Sequence, residues 1–221
     1  MKENLIYAAH QTNFLPYVGF WLKMDEADSF GLMSHNQFSK GNLANRVLIG
    51  DDNKNSWLTI PVSVSMGDKI SEARIARNFK PNKIKNTLYH TYSKTKYWPN
   101  YSGEIIDCFD SIGEGSSLVD LNTSLIKIIK KFLEIETTIK IVNPDKNMSA
   151  SENLAMWASD SQATMYLSGA GGKNYLNEAP FLDLDISVDY FSHNITGQFS
   201  TVSIVSCLMN MGKDWRKVTQ K

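Results

Sequence analysis

At 221 residues the chain is long enough to bury a core without staples, metals or an obligate partner, and its length favours one domain or one domain with an insertion. Hydrophobic residues make up 42% and charged residues 21%, ordinary globular usage. The 23 Lys and Arg balance 23 Asp and Glu, so the chain lacks the basic footprint of a nucleic-acid binder.

Cys108 and Cys207 stand far apart without CxxC spacing. That excludes a disulfide framework, argues against a cysteine-rich zinc site, and fits a reducing compartment. Met1 to Ala9 holds too short an apolar run for a signal peptide, with Glu3 inside its charged start. No apolar stretch approaches the ~20 residues of a membrane span. The expectation is a soluble, cytoplasmic protein.

Leu5 to Ala9 reads as a buried strand running into the polar loop His10-Gln11-Thr12-Asn13. Pro16 suits the first turn of a helix that carries Phe20, Trp21, Met24 and Ala27 at helical spacing. Ser29 to Met33 is a second strand, and residues 35–42 form a loop. Val47 to Ile49 and Ser56 to Val64 pair around Gly50-Asp51-Asp52-Asn53, with Trp57, Leu58, Ile60 and Val62 as the apolar weight of the second. From Asn82 to Asp110 the period is helical, interrupted at Trp98-Pro99. Ser116 or Ser117 caps a helix through Leu121, Leu125, Ile129 and Phe132.

Thr138 to Val142 is a strand, Ser151 opens a helix ending near Gln162, and Met165 to Leu167 is a strand meeting a glycine-rich turn. Ile186 to Phe191 is the last strand and Val202 to Met211 the terminal helix. Strands alternating with helices predict an α/β fold with a mainly parallel or mixed sheet and flanking helices. Residues 1–221 read as a single domain with a small inserted hairpin and a helical insertion around 82–135.

Three loops carry chemistry. His10-Gln11-Thr12-Asn13 follows a buried strand, where open α/β folds bind ligands. His10 has the ordinary pKa of a general acid–base near neutrality, and Gln11 and Asn13 can orient a carbonyl or hydroxyl. The same residues read equally as a strand end and a helix cap. In Ser168-Gly169-Ala170-Gly171-Gly172-Lys173-Asn174, glycines let backbone N–H groups approach an anion and Lys173 adds charge. It is neither a Walker loop nor a dinucleotide fingerprint, and a strand-exit turn is the plain alternative. Gln37, Ser39, Lys40, Asn45 and Arg46 surround Phe38, a set suited to sugar or nucleotide recognition, with Arg46 bidentate toward phosphate; a solvated loop is the alternative.

His35, His90 and His193 have no ligand spacing, so no metal site is expected. Cys108 and Cys207 lie in apolar helical patterns and read as core. Tyr89, Tyr92, Tyr97, Trp98 and Tyr101 read as core or as subunit contact, which makes a homo-oligomer an expectation.

In order, the motifs are His10-Gln11-x-Asn13-x-Leu15-Pro16-Tyr17, Gln37-Phe38-Ser39-Lys40 with Asn45-Arg46, and Leu58-Thr59-Ile60-Pro61-Val62. They continue with Tyr166-Leu167-Ser168-Gly169-x-Gly171-Gly172-x-Asn174-Tyr175-Leu176 and a closing segment from Val202 to Gly212. The series resembles the WbqC-like family of bacterial O-antigen and surface-polysaccharide gene clusters along nearly the whole chain. It departs at Thr12 and Ala170, where family members carry proline. It departs again at Ser34-His35-Asn36, where they carry an acidic pair that His35 would replace.

The resemblance implies an enzyme that modifies a nucleotide- or lipid-linked amino sugar in surface-glycan synthesis, by acyl or aminoacyl transfer from an acyl-CoA or other activated acyl donor. In that reading His10 is the general base, Gln11 and Asn13 position the carbonyl, and Arg46 with the Gly169–Lys173 loop holds phosphates. Nucleotidyl transfer and a non-catalytic nucleotide-sugar-binding scaffold are the alternatives.

Overall fold

In chain order the elements of the computed structural model are β1 (Ile6–Gln11), α1 (Val18–Asp25), β2 (Ser29–Met33), β3 (Arg46–Asp51), β4 (Lys54–Thr59), β5 (Val62–Ser63) and β6 (Arg74–Ile75). They continue as α2 (Pro81–Tyr92), α3 (Trp98–Asp107), α4 (Leu118–Phe132) and β7 (Thr138–Val142). The chain closes with α5 (Ala150–Asp160), β8 (Met165–Ser168), α6 (Ala179–Leu182), β9 (Ser187–Tyr190) and α7 (Ile204–Met211). The described residues are 4–51, 54–192, 194–195 and 198–219. Two compact units share the chain. The first comprises Met1–Gln11, Leu22–His35 and Glu136–His193; the second comprises Thr12–Trp21, Asn36–Ile135 and Asn194–Lys221.

The first unit is an α/β layer around a five-stranded sheet in the order β7-β2-β1-β8-β9, parallel at every pairing. β1 pairs with β2 at Ala8↔Phe30 and His10↔Leu32 and with β8 at Ala8↔Leu167. Because successive strand residues leave opposite faces, Tyr7 and Ala9 enter one core with Trp157 of α5, Tyr166 and Phe181. Tyr166 and Phe181 stack with ring centroids 4.9 Å apart. Gly31 lies on that face under the Tyr7 hydroxyl, where a Cβ would overlap it. α5 begins one residue before the expected Ser151, because Ser149 and Glu152 form a capping box around its first turn.

The order of the strands matters for function. From β1 the chain moves to β2 and then β7 on one side, then returns to β8 and β9 on the other. The reversal falls between β1 and β8, the position where open α/β sheets leave a crevice at their carboxyl ends.

The second unit is helical with two short antiparallel ribbons, β3–β4 and β5–β6. The expected hairpin is present at Val47↔Leu58 and Ile49↔Ser56, with Asp52 and Asn53 of its turn outside the described residues. The expected strand over 56–64 is interrupted at Pro61, after which Val62 pairs with Ile75 instead. Trp98-Pro99 opens α3 rather than merely ending α2, with proline tolerated in the first turn. Pro16 precedes α1 by two residues; Tyr17 bridges to Ser203 there. In α4, Ser117 caps through Asp120 N, and Leu121, Leu125 and Ile129 are buried. Cys207 is buried in α7, as its pattern predicts, and burial pushes its thiol up to about 12.

Candidate functional site

β1 runs two residues further than its apolar stretch implies, so His10 and Gln11 are strand residues rather than loop residues. Their side chains therefore leave the sheet on opposite faces. His10 shares its face with Ala8, Phe30 and Leu32, to judge from the parallel register.

Lys23, in the last turn of α1, was not singled out by the sequence, and it is the residue that defines this end of β1. It is 4% exposed. Its ammonium donates to Ala9 O at 2.8 Å and lies 5.7 Å from the centre of the Phe30 ring. A buried ammonium without a carboxylate partner is costly, and burial pulls the Lys23 pKa down to about 8. Among the described residues, the Ala9 carbonyl is the one hydrogen-bond acceptor found for it.

The His10 pKa is lowered to about 3, first by burial and then by the Lys23 charge. The ordinary imidazole range expected from the sequence therefore does not hold: His10 is neutral at every physiological pH. Its Nδ1 lies 3.0 Å from Gln11 O. With a carbonyl as its partner, Nδ1 carries the ring proton in that contact.

Across the switch point, Ser168 ends β8 and Gly169 follows it. Among the described residues, a Cβ on Gly169 would meet Lys23 Nζ alone, at 4.0 Å. The glycine thus leaves room for a ligand atom beside the ammonium. The remainder of the glycine-rich run is not an open loop but a 3-10 turn over Ala170–Asn174. Gly172 is buried where a Cβ would overlap Ser168 Oγ, whereas Gly171 faces open space. Lys173 and Asn174 are exposed; the Lys173 ammonium lies 5.3 Å over the Tyr190 ring, whose hydroxyl donates to Glu178 at 2.6 Å. His35, just past β2, packs against Trp157 with centroids 5.7 Å apart. His193 lies outside the described residues.

The other predicted residues belong to the second unit. Asn13 is buried and helps line a 60 Å³ cavity with Leu43, Val47 and Trp57. Asn122 of α4 holds this region by donating to Thr12 O at 3.3 Å and Ala44 O at 2.8 Å. Asn45 donates to Ile60 O at 2.8 Å, bracing the backbone there. Gln37, Ser39 and Lys40 are exposed, with Gln37 bridging to Lys69. Arg46 lies with its guanidinium 4.1 Å over the Trp57 ring.

The signal for Lys23 was present in the sequence as a cation three residues after Phe20 and four before Ala27, on the inward stripe of α1. Among the described residues, no group of three His, Cys, Asp or Glu side chains is placed to hold a metal ion. No helix among them is long and apolar enough to cross a membrane.

A Mycobacterium tuberculosis protein designated Uncharacterized protein Rv1507c is 27% identical over 220 residues, covering 92% of this chain and 93% of its own length. No solved structure matches the chain. The pattern that defines the WbqC-like protein family matches residues 11–218, from the last residue of β1 to the end of the chain's final turn, and the chain belongs to that family.

Proposed function

We propose that this protein is a transferase that modifies a sugar precursor of a bacterial surface glycan by moving an acyl or aminoacyl group onto an amine or hydroxyl. The observation that carries the reading is the buried Lys23 ammonium on Ala9 O, beside a neutral His10 and the open space at Gly169.

Acyl transfer needs a base for the attacking group and a donor for the oxyanion that forms on the carbonyl. Lys23, at about 8, is mainly protonated at pH 7 and supplies a desolvated cation for that oxyanion. In this reading the His10 imidazole takes the proton of the attacking N–H or O–H. At pKa about 3 it is a weak base in the free protein, and part of that weakness comes from Lys23. As the oxyanion neutralises Lys23, this repulsion fades and the imidazole gains basicity at the moment it must take the proton. Substrate phosphates near the ammonium act in the same direction. The new C–N or C–O bond forms as the proton passes to the imidazole, and collapse of the oxyanion breaks the donor's acyl bond, the leaving group (a thiolate for a thioester) departing with that proton.

The test is incubation with amino-sugar nucleotides and acyl thioesters, read by mass spectrometry. The reading expects the acceptor to gain the mass of one acyl group. Release of pyrophosphate from a nucleoside triphosphate with magnesium, without acyl gain, would replace it by nucleotidyl transfer.

A further inference from the structure

Trp57 carries a second feature, confined to the second unit. In the β3–β4 ribbon Leu48 opposes Trp57 and Arg46 opposes Thr59, so these four side chains share one face while Val47, Ile49 and Leu58 are buried on the other. Trp57 is 50% exposed, an uncommon position for an indole. The Arg46 guanidinium over its ring fixes the plane of the side chain.

The indole opens onto a 410 Å³ cavity that Thr59, Asn78, Phe79, Lys80 and Lys83 also line. Phe79, Lys80 and Lys83 continue into an adjoining 610 Å³ cavity with Asn86 and His90. Among the described residues, no carboxylate lines either space. In the first turn of α2, Pro81 has no N–H, and the amides of Lys83 and Ile84 donate to Lys80 O.

We propose that this groove binds a nucleoside phosphate: the base or ribose against Trp57 and Phe79, and the phosphates on Lys80 and Lys83. Both volumes fall in the small-ligand range of ~300–1,000 Å³. A half-exposed ring held flat suits an aromatic base, and paired amines without an acid suit phosphate. The neutral net charge of the chain argues against an extended polyanion in its place. A nucleotide-linked sugar and an adenine-nucleotide acyl carrier share this chemistry. Binding here needs no turnover, so this proposal and the one made for His10 can fail separately.

Calorimetric titration of the full chain with UDP, ADP and inorganic pyrophosphate tests it. At least one nucleoside diphosphate is expected to bind more tightly than pyrophosphate. Trp57→Ala and the double variant Lys80→Ala/Lys83→Ala are each expected to weaken it about tenfold or more, at unchanged thermal midpoint. Parallel titrations with UDP-N-acetylglucosamine and coenzyme A separate the two sources, and heat from either supports the site. Absence of nucleotide binding, pyrophosphate binding as tightly as the nucleotides, or unchanged affinity in both variants would overturn it.

Discussion

Lys23 Nζ donates to Ala9 O at 2.8 Å, which places a buried cation against the residue preceding His10 in the same strand. The Lys23 charge thereby disfavours a second positive charge on His10, and burial disfavours the charged form of both.

Replacing Lys23 by Met removes the charge and keeps most of the apolar volume. The His10 pKa is then expected to rise from about 3 toward, but not up to, its ordinary 6.5, because burial, the larger cause, remains. The imidazole NMR signals, followed from pH 8 to pH 3, measure this. A His10 titration unmoved by the substitution would show that the charge does not reach the ring.

Stability follows the same groups. The native His10 takes its proton only near pH 3 and the unfolded one near 6.5, so between these values the unfolded chain binds more protons. Stability therefore falls as pH drops from 6.5 toward 3. Lys23, at about 8 when folded and 10.5 when unfolded, adds stability as pH rises from 8 to 10.5. In urea unfolding, His10→Gln should lose less stability than the wild type between pH 7 and pH 4, and Lys23→Met should gain less between pH 8 and pH 10. Parallel curves in either comparison would contradict the assignment.

Gly31→Ala tests the packing under β1. Its Cβ would overlap the Tyr7 hydroxyl, which has no hydrogen-bond partner among the described residues. The substitution should cost about 1–3 kcal/mol. Tyr7→Phe alone should be near neutral or stabilising, since it removes an unsatisfied buried group, and should recover much of the Gly31→Ala loss. Chemical denaturation of the four proteins of this cycle gives the coupling directly.

The glycine-rich turn separates into two kinds of glycine. Gly171→Ala faces open space and should stay within about 0.5 kcal/mol of wild type. Gly172→Ala meets Ser168 Oγ and should cost about 1–3 kcal/mol, relieved by adding Ser168→Ala. Equal effects at the two positions would refute this reading of the turn.

The strands of the sheet were legible because short apolar runs bounded by polar residues leave little else for Leu5–Ala9, Ser29–Met33 and Thr138–Val142 to be. The parallel order followed from the helices between them. The end of β1 is not legible in the sequence, because polarity at His10 and Gln11 looks like a loop, while the ladder to Leu32 and Met33 extends the strand through both. Lys23 escaped notice because the length of its side chain lets a lysine among apolar neighbours reach water. Only the fold shows that it turns instead to Ala9 O, fourteen positions back in sequence. Trp57 counted as apolar strand weight, yet ribbon alternation sends it outward and Leu58 inward. Asn45 and Lys173 have chemistry suited to a ligand, and the fold adds what their sequence context does not show: a backbone carbonyl beside the first and a tyrosine ring beside the second.

The most direct measurement is acyl-transfer turnover by His10→Ala beside wild type at pH 7, with matched circular dichroism and thermal midpoint. Loss of a general base predicts a fall in kcat of roughly 10²–10⁴-fold with the fold unchanged. Turnover retained by His10→Ala would remove His10 from the chemistry and with it the assignment of the β1 end as the reaction centre.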